Sequence, residues 1–109
     1  MAPKVHMKGR LLQILAEGGE HWDYEIATQL LREYEMENSA YWHDQIRLEL
    51  ADLQSGGLIA VNEAHDTIDP ERTFGREKLV RLYSLTPFGR ERMQMTELLP
   101  QGAARTQEV

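Results

Sequence analysis

Apolar residues recur along this chain at two spacings, and the spacing changes where the elements change. In "MKGRLLQILAEGG" the apolar positions Met7, Leu11, Leu12, Ile14 and Leu15 share one helical face, and Gly18-Gly19 end the run. Asp23 is placed to cap a second helix, "YEIATQLLREYEM", with Ile26, Ala27, Leu30, Leu31 and Tyr34 as its buried stripe. Asn38 or Ser39 caps a third, "AYWHDQIRLELADLQSGG", where His43, Ile46, Leu50 and Leu53 recur at steps of three and four before Gly56-Gly57. The period then drops to two. "LIAVNEA" reads as a short strand, "HDTIDPERTFGRE" as a polar hairpin loop, and "KLVRLYSLT" as the returning strand. Along that strand Leu82, Ser84 and Thr86 fall on one side and Arg81, Tyr83 and Leu85 on the other. Thr86 then caps a last helix, "PFGRERMQMTELL", whose first position suits Pro87 because a missing N–H costs nothing there.

The predicted order is helix, helix, helix, strand, long loop, strand, helix. Two short strands cannot bury a sheet face unaided, so they must lean on the helices, most simply beside the end of the third. The expected fold is mainly α with a small antiparallel β-hairpin, the winged helix-turn-helix arrangement. Residues 1–6 and 100–109 lack apolar periodicity and are expected to be flexible, leaving a single domain over 7–99 with a wing over about 58–86. Ile46, Leu50, Leu53 and Leu58 are the expected core around the third helix.

A resemblance sharpens this reading. "IRLELADLQSGGLI" resembles the end of the recognition helix and the first wing strand of bacterial winged-helix regulators of the PadR and MarR kinds. "WDYEIATQLLREY" is similar to the second helix of PadR-type proteins, and "RLYSLTPFGRERM" to their Tyr-x-Leu-Thr-x-x-Gly ending. Together these span roughly residues 7–95. Arg47 stands where those proteins usually carry a tyrosine, and only 22 residues follow Pro87, too few for their long dimer helices. The resemblance implies a transcriptional regulator that binds double-stranded DNA; a cytoplasmic location is the default expectation for a chain with no bilayer-length apolar run, signal peptide or cysteine. A homodimer would then use the first or last helix.

Charge changes the picture more than composition does. The chain is 41% hydrophobic and 28% charged, ordinary for a globular domain, and carries a net −6. Residues 17–71 hold fourteen acids against Arg32 and Arg47, a balance of −12, while residues 72–92 hold six bases against two acids, a balance of +4. Lys4, Lys8 and Arg10 make the first sixteen residues basic as well. A phosphate partner should therefore meet the flanks of the chain first. No apolar run reaches the roughly 18 residues that span a bilayer, so no membrane contact is expected. The absence of cysteine excludes disulfides and thiolate zinc sites.

In a helix-turn-helix, early exposed residues of the third helix meet base edges and basic wing residues meet phosphate. Ser39, Tyr41, Asp44, Gln45, Arg47 and Leu48 are the expected DNA-facing positions of the third helix. Gln45 is suited to adenine, Arg47 to guanine and Tyr41 to a phosphate. Arg72, Arg76 and Lys78 around Gly75, with Arg81 on the strand, are the expected wing contacts. Asp44, Glu49 and Asp52 on the same helix would repel a polyanion, which keeps an alternative open: a winged-helix module whose acidic face binds a basic or DNA-binding protein partner. Trp22, Tyr24, Tyr41 and Trp42, at the starts of two helices, are candidates to line a small-molecule pocket. The pairs His21–Asp23, His43–Asp44 and His65–Asp66 lie on different elements without metal-ligand spacing. No phosphate loop or nucleophile elbow occurs either, so neither an enzyme nor a cofactor is expected.

Overall fold

Four helices form where apolar spacing predicts them, in a computed structural model that describes residues 6–96: α1 (Met7–Ala16), α2 (Asp23–Glu33), α3 (Ala40–Ser55) and α4 (Pro87–Met95). His6 caps α1, its ring accepting from the Lys8 N–H, so it belongs to the folded domain; the rest of the expected flexible ends, with residues 97–99, lies outside the described residues. Ser39 caps α3 by accepting from the Trp42 N–H, while Thr86 caps α4 by accepting from Gly89, with Pro87 at the first turn. None of these helices is long and apolar enough to cross a membrane.

Two helix ends differ from expectation. Asp23 is the first residue of α2 rather than its cap, and its side chain points into the protein. At the other end, α2 stops at Glu33 instead of running to Met36. Glu35 takes a left-handed conformation (φ 57°), and the Met36 N–H reaches back to the Leu31 carbonyl at 2.9 Å. That closure satisfies a carbonyl at the helix end in the way a glycine usually allows.

Among the described residues five short strands accompany the helices: β1 (His21–Trp22), β2 (Ile59–Val61), β3 (Thr67–Ile68), β4 (Leu79–Val80) and β5 (Leu82–Leu85). The three-stranded antiparallel sheet runs β1-β5-β2, with His21 opposite Tyr83 and Ile59 opposite Leu85. β1 carries no signal in the sequence because two residues are too few to show a period. The stretch expected as a loop holds β3, which pairs with β4, and a 3-10 turn at Pro70–Arg72. The first predicted strand is likewise shortened to Ile59–Val61, followed by a 3-10 turn at Glu63–His65.

The returning strand is broken at Arg81, and Asp23 is the reason. The Arg81 carbonyl accepts from the Asp23 backbone N–H at 2.9 Å, and the Arg81 N–H donates to Asp23 Oδ2 at 3.2 Å. Those bonds replace ladder bonds at this residue. β5 then lies between β1 and β2, covered on both faces, so Leu82 and Tyr83 are both buried despite facing opposite ways.

The core gathers Leu11, Ile14 and Leu15 of α1, Ile26, Leu30 and Leu31 of α2, and Ile46 and Leu50 of α3, all essentially inaccessible. Each such side chain contributes about 1.5–3 kcal/mol on removal from water. Leu58 is only half-buried; Ile59 takes the core place instead. α4 closes the base through Met93 and Gly89, where a Cβ would stand 2.1 Å from the Leu58 carbonyl oxygen. Glycine is the only residue that permits this approach.

Candidate nucleic-acid interface

α3 shows the solvent a face made of Tyr41, Gln45 and Leu48, set four and three residues apart so that they stack along one side. Tyr41 is 61% and Leu48 64% exposed, the most open large side chains on this helix. Ser39, by contrast, is committed to capping, since its hydroxyl already accepts the Trp42 N–H. The arm formed by β3, β4 and the turn between them folds against α3.

Asp44 fastens that arm. Arg76 donates to both of its oxygens, Nη1 to Oδ2 at 2.8 Å and Nη2 to Oδ1 at 3.0 Å, and Arg47 Nη1 reaches Oδ1 at 3.1 Å. Two-pronged guanidinium–carboxylate pairs are the stronger kind of hydrogen bond. The Arg76 contact accordingly holds the Asp44 carboxyl below its ordinary range, with Lys78 and Arg47 adding to the effect.

Arg47 corrects a sequence expectation. Rather than facing a guanine, its side chain turns inward to Asp44 and to Asp23, whose Oδ2 lies 3.5 Å from Nε. Asp23 is 2% exposed; its burial pushes the carboxyl up, opposed by the Arg47 charge and by the Arg81 and Tyr24 backbone N–H groups. A carboxylate buried this deeply needs such partners to stay charged. Asp23 is the residue that sequence reasoning missed here. Its only signal was an acid set between Trp22 and Tyr24 at the edge of an apolar run.

The basic residues expected on the wing are distributed unequally. Arg76 is closed on Asp44, and Arg81 Nε lies 3.3 Å from Asp66. Arg72 stacks over the Tyr24 ring, 5.1 Å from its centroid, with Asp69 at 4.0 Å. Lys78 is exposed and makes no ion pair among the described residues. Lys8 of α1 contacts both Glu49 and Asp52, so these two acids of α3 are partly neutralised, Asp52 lying one turn beyond Leu48 on the Tyr41–Gln45–Leu48 side.

Beside the Asp44 clamp, a cavity of about 230 Å³ is lined by Tyr24, Thr28, Asn38, His43, Glu71, Arg72 and Phe74. Of the aromatics singled out in the sequence only Tyr24 lines it; Trp22 stacks on Tyr24 outside, and Tyr41 packs edge-on against Trp42. His43 is buried, its Nε2–H donating to Asn38 Oδ1 at 2.6 Å and the Phe74 ring meeting it edge-on. Burial, with Arg47 and Arg76 nearby, lowers the His43 pKa against the opposing pull of Asp44. Compared with family models, with curated proteins and with solved structures, the chain gives no match.

Proposed function

We propose that this chain is a winged helix-turn-helix protein that binds double-stranded DNA as a cytoplasmic transcriptional regulator of the PadR/MarR-like kind. One observation carries the reading: helix α3 keeps an open polar and apolar face while a hairpin arm, β3–β4, carrying Arg72, Arg76 and Lys78 against Asp69, Glu71 and Glu77, lies against its flank. α3 enters the major groove with Tyr41, Gln45 and Leu48 toward the base edges, and Lys78 and Arg72 on the arm meet the backbone. Gln45 suits adenine and Leu48 the thymine methyl, so the helix favours A·T pairs; Arg47, held by two carboxylates, drops out of base reading. The short β1 strand between α1 and α2 supports this reading too, since it ties the helical body to the returning strand of the arm. A homodimer through α1 or α4, where Phe88 and Met95 are exposed, would present two copies of α3 to paired half-sites.

A second reading has its own support. Among the described residues the outward face of α3 bears no unpaired cation, and its most exposed large apolar side chains are Tyr41 and Leu48. Such a face suits a protein partner, with aromatic and aliphatic anchors at its centre. Fluorescence anisotropy of a labelled duplex over a salt series separates the two. DNA binding predicts a log affinity that falls linearly with log salt, and an absence of salt-dependent binding leaves the protein-binding module.

A further inference from the structure

Between α3 and the arm lies a second cleft, of about 320 Å³, lined by Asp23, Arg47, Ala51, Lys78, Leu79, Arg81 and Tyr83. Three cations line it against one carboxylate. Arg47 rises from α3 on one side; Lys78, just before β4, and Arg81, between β4 and β5 with its Nε 3.3 Å from Asp66, stand on the other, and Ala51, one turn beyond Arg47, is short enough to leave the space open. The polar atoms inside are not all satisfied. Arg47 Nη2 is buried without a hydrogen-bond acceptor and Nε has only the long 3.5 Å contact to Asp23 Oδ2, while the Asp23 oxygen Oδ1 has no donor in a residue 2% exposed. Buried guanidinium N–H groups left unpaired are costly, and native proteins rarely leave them so without a ligand or ordered water.

We propose that this cleft is a phosphate-binding site, with Arg47 as its preset donor and Lys78 and Arg81 closing over the oxyanion from the opposite side. Asp23 and Asp44 hold the Arg47 guanidinium in place while leaving Nη2 unused, so the donor is oriented before the ligand arrives. Arg guanidinium groups match phosphate oxygens in this way, and a lysine adds a mobile point charge. The phosphate is either a backbone phosphate of duplex DNA or a free phosphate group. Only the first source rests on the DNA reading above.

Two titrations test the site on the intact chain. In the first, inorganic phosphate replaces chloride at matched ionic strength while thermal unfolding is followed; phosphate should raise Tm, and the Lys78→Gln/Arg81→Gln variant should lose that rise. Arg32→Gln, which removes an exposed charge of α2 outside the cleft, should keep it. In the second, the salt slope of duplex binding is compared between the parent and the double variant; the slope should fall by about 0.9 for each phosphate that the variant no longer neutralises. A phosphate-specific rise in Tm together with a reduced slope supports the site with DNA as the source. A rise that the double variant loses, with an unchanged slope or no DNA binding at all, supports the site with a free phosphate group. No rise in phosphate, or a rise that the double variant keeps because it is the general stabilising effect of phosphate on folded chains, overturns it.

Discussion

At the scale of the residue, the side chains that matter most are those whose charge or volume the fold has already committed. Leu50 is wholly buried at the centre of α3, and its truncation leaves a cavity that the surrounding helices cannot fill. Leu50→Ala is expected to cost about 2–5 kcal/mol in a denaturant melt; a loss under about 0.5 kcal/mol would contradict the helix phase. His43 gives a pH signature. Its folded pKa is depressed, so protons bind the unfolded chain more tightly. The stability due to neutral His43 is therefore complete above the unfolded value near 6.5 and declines as pH falls from there to the folded pKa. His43→Gln should flatten that part of the stability–pH curve in chemical denaturation. Equal slopes for parent and variant below about pH 6.5 would show that the buried imidazole is not what titrates.

At the scale of the element, the helices were legible because each spans several turns of regular apolar spacing and carries its own punctuation. Ser39, Thr86, Gly18 and Gly57 stand where caps and stops are needed, and the structure uses them so. The strands were less legible, for a physical reason. β1 and β3 have two residues each, so their pairing is decided by what lies opposite rather than by their own pattern. The break at Arg81 and the left-handed Glu35 are tertiary and conformational events with no local residue to announce them. Arg47 and Asp23 were illegible together. Each looks like an ordinary surface residue of its helix, and only the approach of α2 to α3 and the arm pairs them. The packing of α4 supplies a test at this scale. Gly89→Ala would press a methyl group to 2.1 Å from the Leu58 carbonyl oxygen, forcing α4 away from the sheet. The expected loss is about 1–3 kcal/mol in thermal or denaturant unfolding. Unchanged stability would mean that α4 is not seated there.

At the scale of the whole molecule, the net charge of −6 conceals a fold that pairs much of its charge internally. Arg10 donates to both oxygens of Glu33, holding that carboxyl down at about 2, and Lys8 covers Glu49 and Asp52. Around α3 the same pattern holds, with Arg47 and Arg76 both drawn to Asp44. From sequence, Arg76 and Lys78 are each expected to neutralise a phosphate. With Arg76 engaged on Asp44, Lys78 and Arg72 are left for that role, and Asp69, Glu71 and Glu77 offset the three bases of the arm. Asp44→Asn removes a negative charge beside the proposed DNA face and releases Arg76 toward it, while Arg47 stays with Asp23. Duplex binding by this variant, measured beside the parent by anisotropy over a salt series, is the most direct test that α3 and the arm form a DNA interface. Such an interface should bind more tightly at every salt concentration, with a slope steeper by about 0.9 once Arg76 reaches a phosphate. Binding that Asp44→Asn leaves unchanged or weakens, or that is absent in both proteins, would rule that interface out.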